Sequence, residues 1–430
     1  MAWPAMLENL LQSGVFLINT ALAGRLGAVA LGAAGISNFL MFFSFTLLLG
    51  VGIGTLALVA RAIGAGNRDE AAVIGWHGFL MGTGLSVIAS GLMIALAPWV
   101  LEMAGASPEI VAVGAPYLRL GLIFAPAQVL IVVYGAILRG AGDTKSPMAA
   151  SAIMTGTDGL VGYLLVFDVL GPGGLGLTGI AIAFSLARVL AAVLLAVQLW
   201  RSPLRGSLWR GRSVDPAVFR RLMRVGVPAT GEQVVNTGGL LMFNVIGLQL
   251  GTISFAAQNL IGPISSIAFM PSFGLGVAVS ALVGQSLGAG NPALARRYGM
   301  ESIIGGTLLS LIIGLVFFAF PETLLRLFTD DPLVIEAAVT PMRTMGLIVP
   351  MYGAANCLPG ALRGAGDTRA TFLIALIGLW MFRLPVAWVL GIWLQFGLLG
   401  VWLGAGADFF VRSIASYVRF ASNRWANLRM

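Results

Sequence analysis

The chain has 430 residues, 58% of them hydrophobic and 10% charged, with 25 Lys and Arg against 17 Asp and Glu and a formal net charge of +8. Soluble domains carry roughly 25% charged residues, so this composition, with a mean hydropathy of +0.94, excludes an ordinary soluble fold. One histidine (His77) and one cysteine (Cys357) rule out an intramolecular disulfide and supply no HExxH-like or Ser/His/Asp constellation for a membrane enzyme.

Apolar runs of about 18 residues or more, enough to cross a ~30 Å hydrocarbon layer, recur from end to end. The predicted helices are 4–23, 29–62, 70–97, 109–140, 146–168 and 177–200, then 216–247, 253–287, 293–320, 333–364, 370–393 and 397–421. The fold expected is all-α integral membrane, about twelve transmembrane helices in two pseudo-symmetric six-helix lobes. The expected domains are an N-lobe over 1–200, a basic cytoplasmic linker over 201–215 and a C-lobe over 216–430. The first run lacks a basic start and is interrupted by Glu8 and Gln12, so it reads as a span and not as a signal peptide.

Helix punctuation falls between the runs. Gly64 and Gly66 end the second span, and Asn67 with Glu70 resembles a capping box. Asn291-Pro292 supplies an N-cap followed by proline at the first helical position. Leu138-Arg-Gly-Ala-Gly-Asp-Thr144 returns letter for letter as Leu362 to Thr368, and Gly64-Ala-Gly-Asn67 returns as Gly288 to Asn291. Both pairs are 224 residues apart. So are Pro4 and Pro228, Glu8 and Glu232, Arg119 and Arg343, and Pro126 and Pro350. A constant offset through separated landmarks means a nearly gapless internal duplication. The twin seven-residue motif reads as a tight cytoplasmic hairpin with Asp143/Thr144 or Asp367/Thr368 capping the next helix. It is not a phosphate loop, because no Gly-Lys-Ser/Thr follows.

The linker is the most basic stretch, with Arg201, Arg205, Arg210, Arg212, Arg220, Arg221 and Arg224 around it. Turns an even number of spans away hold Arg61/Arg68, Arg139/Lys145, Arg296/Arg297 and Arg363/Arg369. The alternate turns hold Glu102, Glu109, Asp168, Glu322, Asp330 and Asp331. The positive-inside rule accounts for this charge better than nucleic-acid binding does, and places both termini in the cytoplasm of a multi-pass cell (inner) membrane protein. Six spans per copy preserve orientation, so the copies are parallel repeats, expected to face a central cavity.

Ionisable groups at membrane depth are costly and mark function by default. Glu8, Gln12 and Asn19 fall within about 40° of one another on the first helix, and Glu232 with Asn236 repeats the start of that stripe. Asp158 lies inside the fifth run, three residues after Thr155. A lone buried carboxylate is tolerated when a cation or proton is bound, which is what ion coupling requires. Asp158, Asn19, Glu232 and Thr155 are therefore the candidate coupling residues, with Asp158 and Asn19 as the metal ligands if the ion is Na⁺. Gln12, Gln128, Asn236, Tyr352, Asn356 and Glu8 are the candidate cavity residues. Asp408 and Arg412 read as an intrahelical pair. Arg383 either partners an acid in the other copy's interior or snorkels. His77 and its counterpart Glu301 read as packing residues, and Pro126, Pro263, Pro271 and Pro350 as sites of helix kinks.

Pro4-Ala-Met-Leu-Glu-Asn-Leu-Leu-Gln12, Ala23-Gly-Arg-Leu-Gly27, the Gly-Ala-Gly-Asn turns, the twin motif and Arg383-Leu-Pro385 together resemble the multidrug and toxic compound extrusion (MATE) family over nearly the whole chain. The resemblance implies alternating access by paired six-helix lobes, and export of amphipathic organic cations against inward Na⁺ or H⁺ without a cofactor. Two places depart from it. Asn19 stands where many members have Asp, and Asp158 and Gly162 stand where they have Asn and Asp. The function expected is a multidrug antiporter that acts on a small molecule in the lipid bilayer, as a monomer, with no nucleic-acid partner. The alternative is a flippase for lipid-linked saccharide or polyisoprenoid cargo. That reading needs a strongly cationic cavity, and the sequence offers Arg188, Arg383 and Arg412 for it.

Overall fold

The computed structural model describes residues 2–167, 174–205 and 214–428. Asp168, Arg210 and Arg212 lie outside the described residues. All the regular structure described is helical: α1 Ala2–Arg25, α2 Ala28–Gly64, α3 Arg68–Ala95, α4 Ala97–Met103, α5 Pro108–Ile123, α6 Ala125–Gly140, α7 Lys145–Val166, α8 Gly176–Arg201, α9 Pro216–Leu248, α10 Thr252–Gly288, α11 Pro292–Ala319, α12 Pro321–Arg326, α13 Pro332–Gly364, α14 Thr368–Leu376, α15 Leu384–Trp388 and α16 Gly397–Ala421. Among the described residues nine helical stretches are long and apolar enough to cross a membrane, ten when α5 and α6 are counted as one bent span. The polar α1 and α9 complete the set predicted from hydropathy.

Contacts group the chain into two compact units. One contains Leu7–Thr230; the other contains Ala2–Met6 with Gly231–Met430. The division falls inside α9, after Thr230.

The glycines and aspartates of the twin motif have mechanical jobs. Gly142 and Gly366 have φ of +97° and +83°, a left-handed conformation that a side chain would strain. The preceding glycines press on a neighbouring helix. A Cβ on Gly140 would lie 3.2 Å from the Leu56 carbonyl oxygen, and one on Gly364 would collide with the carbonyl oxygen of Ser280. Asp143 accepts the amide hydrogens of Lys145 and Ser146, both at 3.0 Å, and so caps α7 as expected. Asp367 instead accepts from Arg419 Nε at 2.7 Å. Asn67 and Asn291 cap α3 and α11, accepting from the amides of Glu70 (3.0 Å) and Leu294 (2.9 Å).

Proline behaves less uniformly than the sequence suggests. Pro126 sits just after a 44° bend between α5 and α6, whereas α13 runs unbroken past Pro350, and α10 past Pro263 and Pro271. Inside α10 and α13 each ring removes one helical hydrogen bond without breaking the helix, whereas Pro126 stands in the first turn of α6, where none is lost. Gly346 of α13 rests backbone to backbone on Gly314 of α11; the equivalent places in the first copy hold the bulkier Leu122 and Ser90. The eleventh span contains two π-helical stretches, Ile377–Arg383 and Val389–Trp393, around α15. Such widened turns re-aim the side chains that follow. Here they seat Arg383 and Ala387 against α16, so closely that a Cβ on Gly404 would lie 2.7 Å from the backbone of both.

Candidate functional site

In the first unit α1 and α7 bring their polar residues together. Asn19 Nδ2 donates to Asp158 Oδ2 at 2.9 Å; Asp158 is 0% exposed and Asn19 2%. The other oxygens of this pair, Asp158 Oδ1 and Asn19 Oδ1, are both buried without a hydrogen-bond partner. No ion pair holds Asp158 among the described residues at the 4.0 Å limit. Arg188 of α8 instead lies over the Phe184 ring, 3.2 Å from its centroid, and donates to Gln128 Oε1 at 3.0 Å and to the Phe184 carbonyl at 3.3 Å. Tyr117, also buried, donates to Asn38 Oδ1 at 2.9 Å. A buried carboxylate without a matched partner costs several kcal/mol, a cost that a proton or a cation at Asp158 would relieve.

The glutamates of the two copies are placed differently. Arg139 Nη1 donates to Glu8 Oε1 at 2.8 Å. At the equivalent place Arg363 holds Glu232 with two nitrogens, Nε at 3.3 Å and a shorter Nη2 contact, and Thr371 Oγ1 donates to the same carboxylate at 2.7 Å. Both arginines belong to the twin motif. Sequence reasoning took them for hairpin charges and missed that they reach back to the first helix of their own copy. The available signal was the identical separation of 131 residues in both pairs.

Other predicted site residues meet some of their expected neighbours and not others. Gln12 Nε2 approaches Glu8 at 3.5 Å, and Asn356 donates to the Tyr352 hydroxyl at 3.4 Å. The Thr155 hydroxyl is directed to the carbonyls of Leu11 and Ser151, each at 2.9 Å, and not to Asp158. Asn236 accepts both terminal nitrogens of Arg412 at 3.1 Å, and Arg412 Nε donates to Asp408 at 2.5 Å. His77 is buried with both ring nitrogens satisfied, by the Val73 carbonyl at 2.7 Å and the Asp215 amide at 2.8 Å. Its counterpart Glu301 is exposed and pairs with Arg297.

The MatE family model matches residues 4–164 and again 228–389, once in each copy. The chain belongs to the MatE family. This is a family of transporters, not of enzymes, so the MatE chain is a membrane transporter of a small-molecule substrate. It is 32% identical to a probable multidrug resistance protein NorM of Thermotoga maritima, over 99% of this chain and 92% of that one. A NorM of Bradyrhizobium diazoefficiens is 30% identical, over 98% and 91%. The fold is similar to the crystal structure of a Vibrio cholerae MATE transporter, VcmN, with a TM-score of 0.93, 20% identity and coverage of 100% and 97%. That likeness shows that the two share a fold.

Proposed function

We propose that this MatE protein is a secondary antiporter of the cell (inner) membrane, monomeric and with both termini in the cytoplasm. It exports amphipathic or cationic organic compounds in exchange for inward Na⁺ or H⁺. Multidrug export is in keeping with the names of its NorM relatives. The observation that carries ion coupling is the Asp158–Asn19 pair: one buried carboxylate, one buried amide, and on each a buried oxygen without a donor among the described residues. A proton would sit on the Asp158 carboxylate, and Na⁺ would take the Asp158 and Asn19 oxygens as ligands. Either occupant neutralises a charge that burial disfavours. Glu232, already matched by Arg363 and Thr371, is assigned here to joining the helices of its own unit.

Efflux of a cationic dye from proteoliposomes, with the Na⁺ and pH gradients imposed separately, tests the reading. One gradient drives wild-type export. Asp158→Asn, which cannot change charge, is expected to slow that export about a hundredfold or more, the scale of losing a group essential to a step. Wild-type rates in Asp158→Asn would overturn the assignment.

A further inference from the structure

The duplication sets Asp158 opposite Phe382 and Gly159 opposite Arg383. At neighbouring places of equivalent spans, one copy therefore carries an acid and the other a base. In the second unit each buried acid has an arginine of its own, Glu232 with Arg363, Asp367 with Arg419 and Asp408 with Arg412. Arg383 is the surplus. Its Nη1 lies 3.7 Å from Asp408 Oδ2, within ion-pair range but too far to hydrogen-bond, and Asp408 Oδ1 is already taken by Arg412 at 2.5 Å. Arg383 Nε is buried without a hydrogen-bond partner among the described residues.

The surroundings of Arg383 are aromatic. Its guanidinium carbon lies 4.2 Å from the Phe243 ring centroid and 5.7 Å from that of Phe409. Phe409 meets Tyr352 edge-on at 5.1 Å. The side chains of Arg383 and Arg412 keep 12% and 14% exposure, against 1% for Asp408, so an incoming molecule meets the cations before the acid. A guanidinium in the middle of a span that shares its one acid with a second arginine is costly, and its fork of donors fits a planar carboxylate at two points.

We propose that the second unit binds an oxyanion, the carboxylate of an amphipathic aromatic molecule, with Arg383 as the charged anchor and Phe243, Phe409 and Tyr352 as the apolar wall. This rests on the export reading and adds a carboxylate to the groups its cargo carries. A phospholipid phosphate shares the oxyanion chemistry and is the competing source.

The test uses the purified full-length protein in a neutral detergent, titrated calorimetrically with 2-naphthoate, with its methyl ester, and with a short-chain phosphatidylglycerol. Wild type is expected to bind the acid at least about tenfold more tightly than the ester, the scale of one charge-assisted pair. In Arg383→Gln the ratio should fall to near one because the acid weakens while the ester still binds; Arg383→Lys should retain part of it. Equal affinities of acid and ester in wild type overturn the site without recourse to any variant. So does a preference that survives Arg383→Gln. Phosphatidylglycerol displacing naphthoate at concentrations below those of naphthoate itself would assign the site to lipid and overturn it as a cargo site. Binding in detergent needs no gradient, so a failure of ion-driven efflux and a failure of this site are separately visible.

Discussion

Glu8 and Glu232 show how the same residue acquires different surroundings in two copies of one unit. Glu232 accepts two bonds from Arg363 and one from Thr371, whereas the place of Thr371 in the first copy is Pro147, which has no hydroxyl to offer. Breaking a buried ion pair from one side costs about 3–5 kcal/mol, because the other charge is stranded. Arg363→Gln is therefore expected to lower the thermal unfolding midpoint in detergent, and more than Arg139→Gln does. Glu232→Gln combined with Arg363→Gln should recover part of the loss. An Arg139 variant that melts below the Arg363 variant would contradict the ranking. At this scale the sequence was half legible. Hydropathy and helical spacing exposed Asp158, Asn19 and Glu232 as polar places in apolar runs. Their partners were hidden, since the positive-inside rule labels every arginine near a turn alike and says nothing of one that folds inward.

Helix extents were nearly all legible, because twenty apolar residues between glycines and caps leave few alternatives. The departures occur where packing outranks local chemistry. Equivalent prolines give a bend after α5 and a continuous α13, and nothing in residues 377–393 announces a π-helical turn. Along α13 the glycines are the decisive elements. Gly346 and Gly353 touch the backbone of α11, and Gly360 touches that of α10 at Gly276. These are small-residue contacts of the kind that let membrane helices approach without a hydrophobic driving force. A Cβ on Gly353 would lie 2.8 Å from Thr307 N and closer still to the Gly306 carbonyl. Gly353→Leu is expected to destabilise the second unit by roughly 1–3 kcal/mol or more, the range for overpacking. Gly305→Leu, whose Cβ would stand an ordinary 3.7 Å from Leu275, should be much milder. Equal melting temperatures for the two variants would count against backbone contact as the cause.

For the molecule as a whole the 224-residue offset was the most legible feature, since it needs no physics beyond reading the chain against itself. It carries a topological expectation: equivalent turns separated by six spans face the same side. With Cys357 buried, single cysteines introduced at Arg68 and Arg296 should react with an impermeant maleimide from the cytoplasmic side. Those at Glu102 and Asp330 should react from the opposite side. Any pair of equivalents labelled from opposite faces would rule out parallel repeats.

The ion pairs also impose an order on biosynthesis. A ribosome makes each glutamate 131 residues before the arginine that neutralises it, so α1 and later α9 enter the bilayer with an acid that has no mate yet. Until α6 or the end of α13 emerges, that acid must stay protonated, sheltered by the insertion machinery, or near the lipid headgroups. Completion of each twin motif is thus the moment at which the glutamate opening its half of the chain first meets its counter-charge.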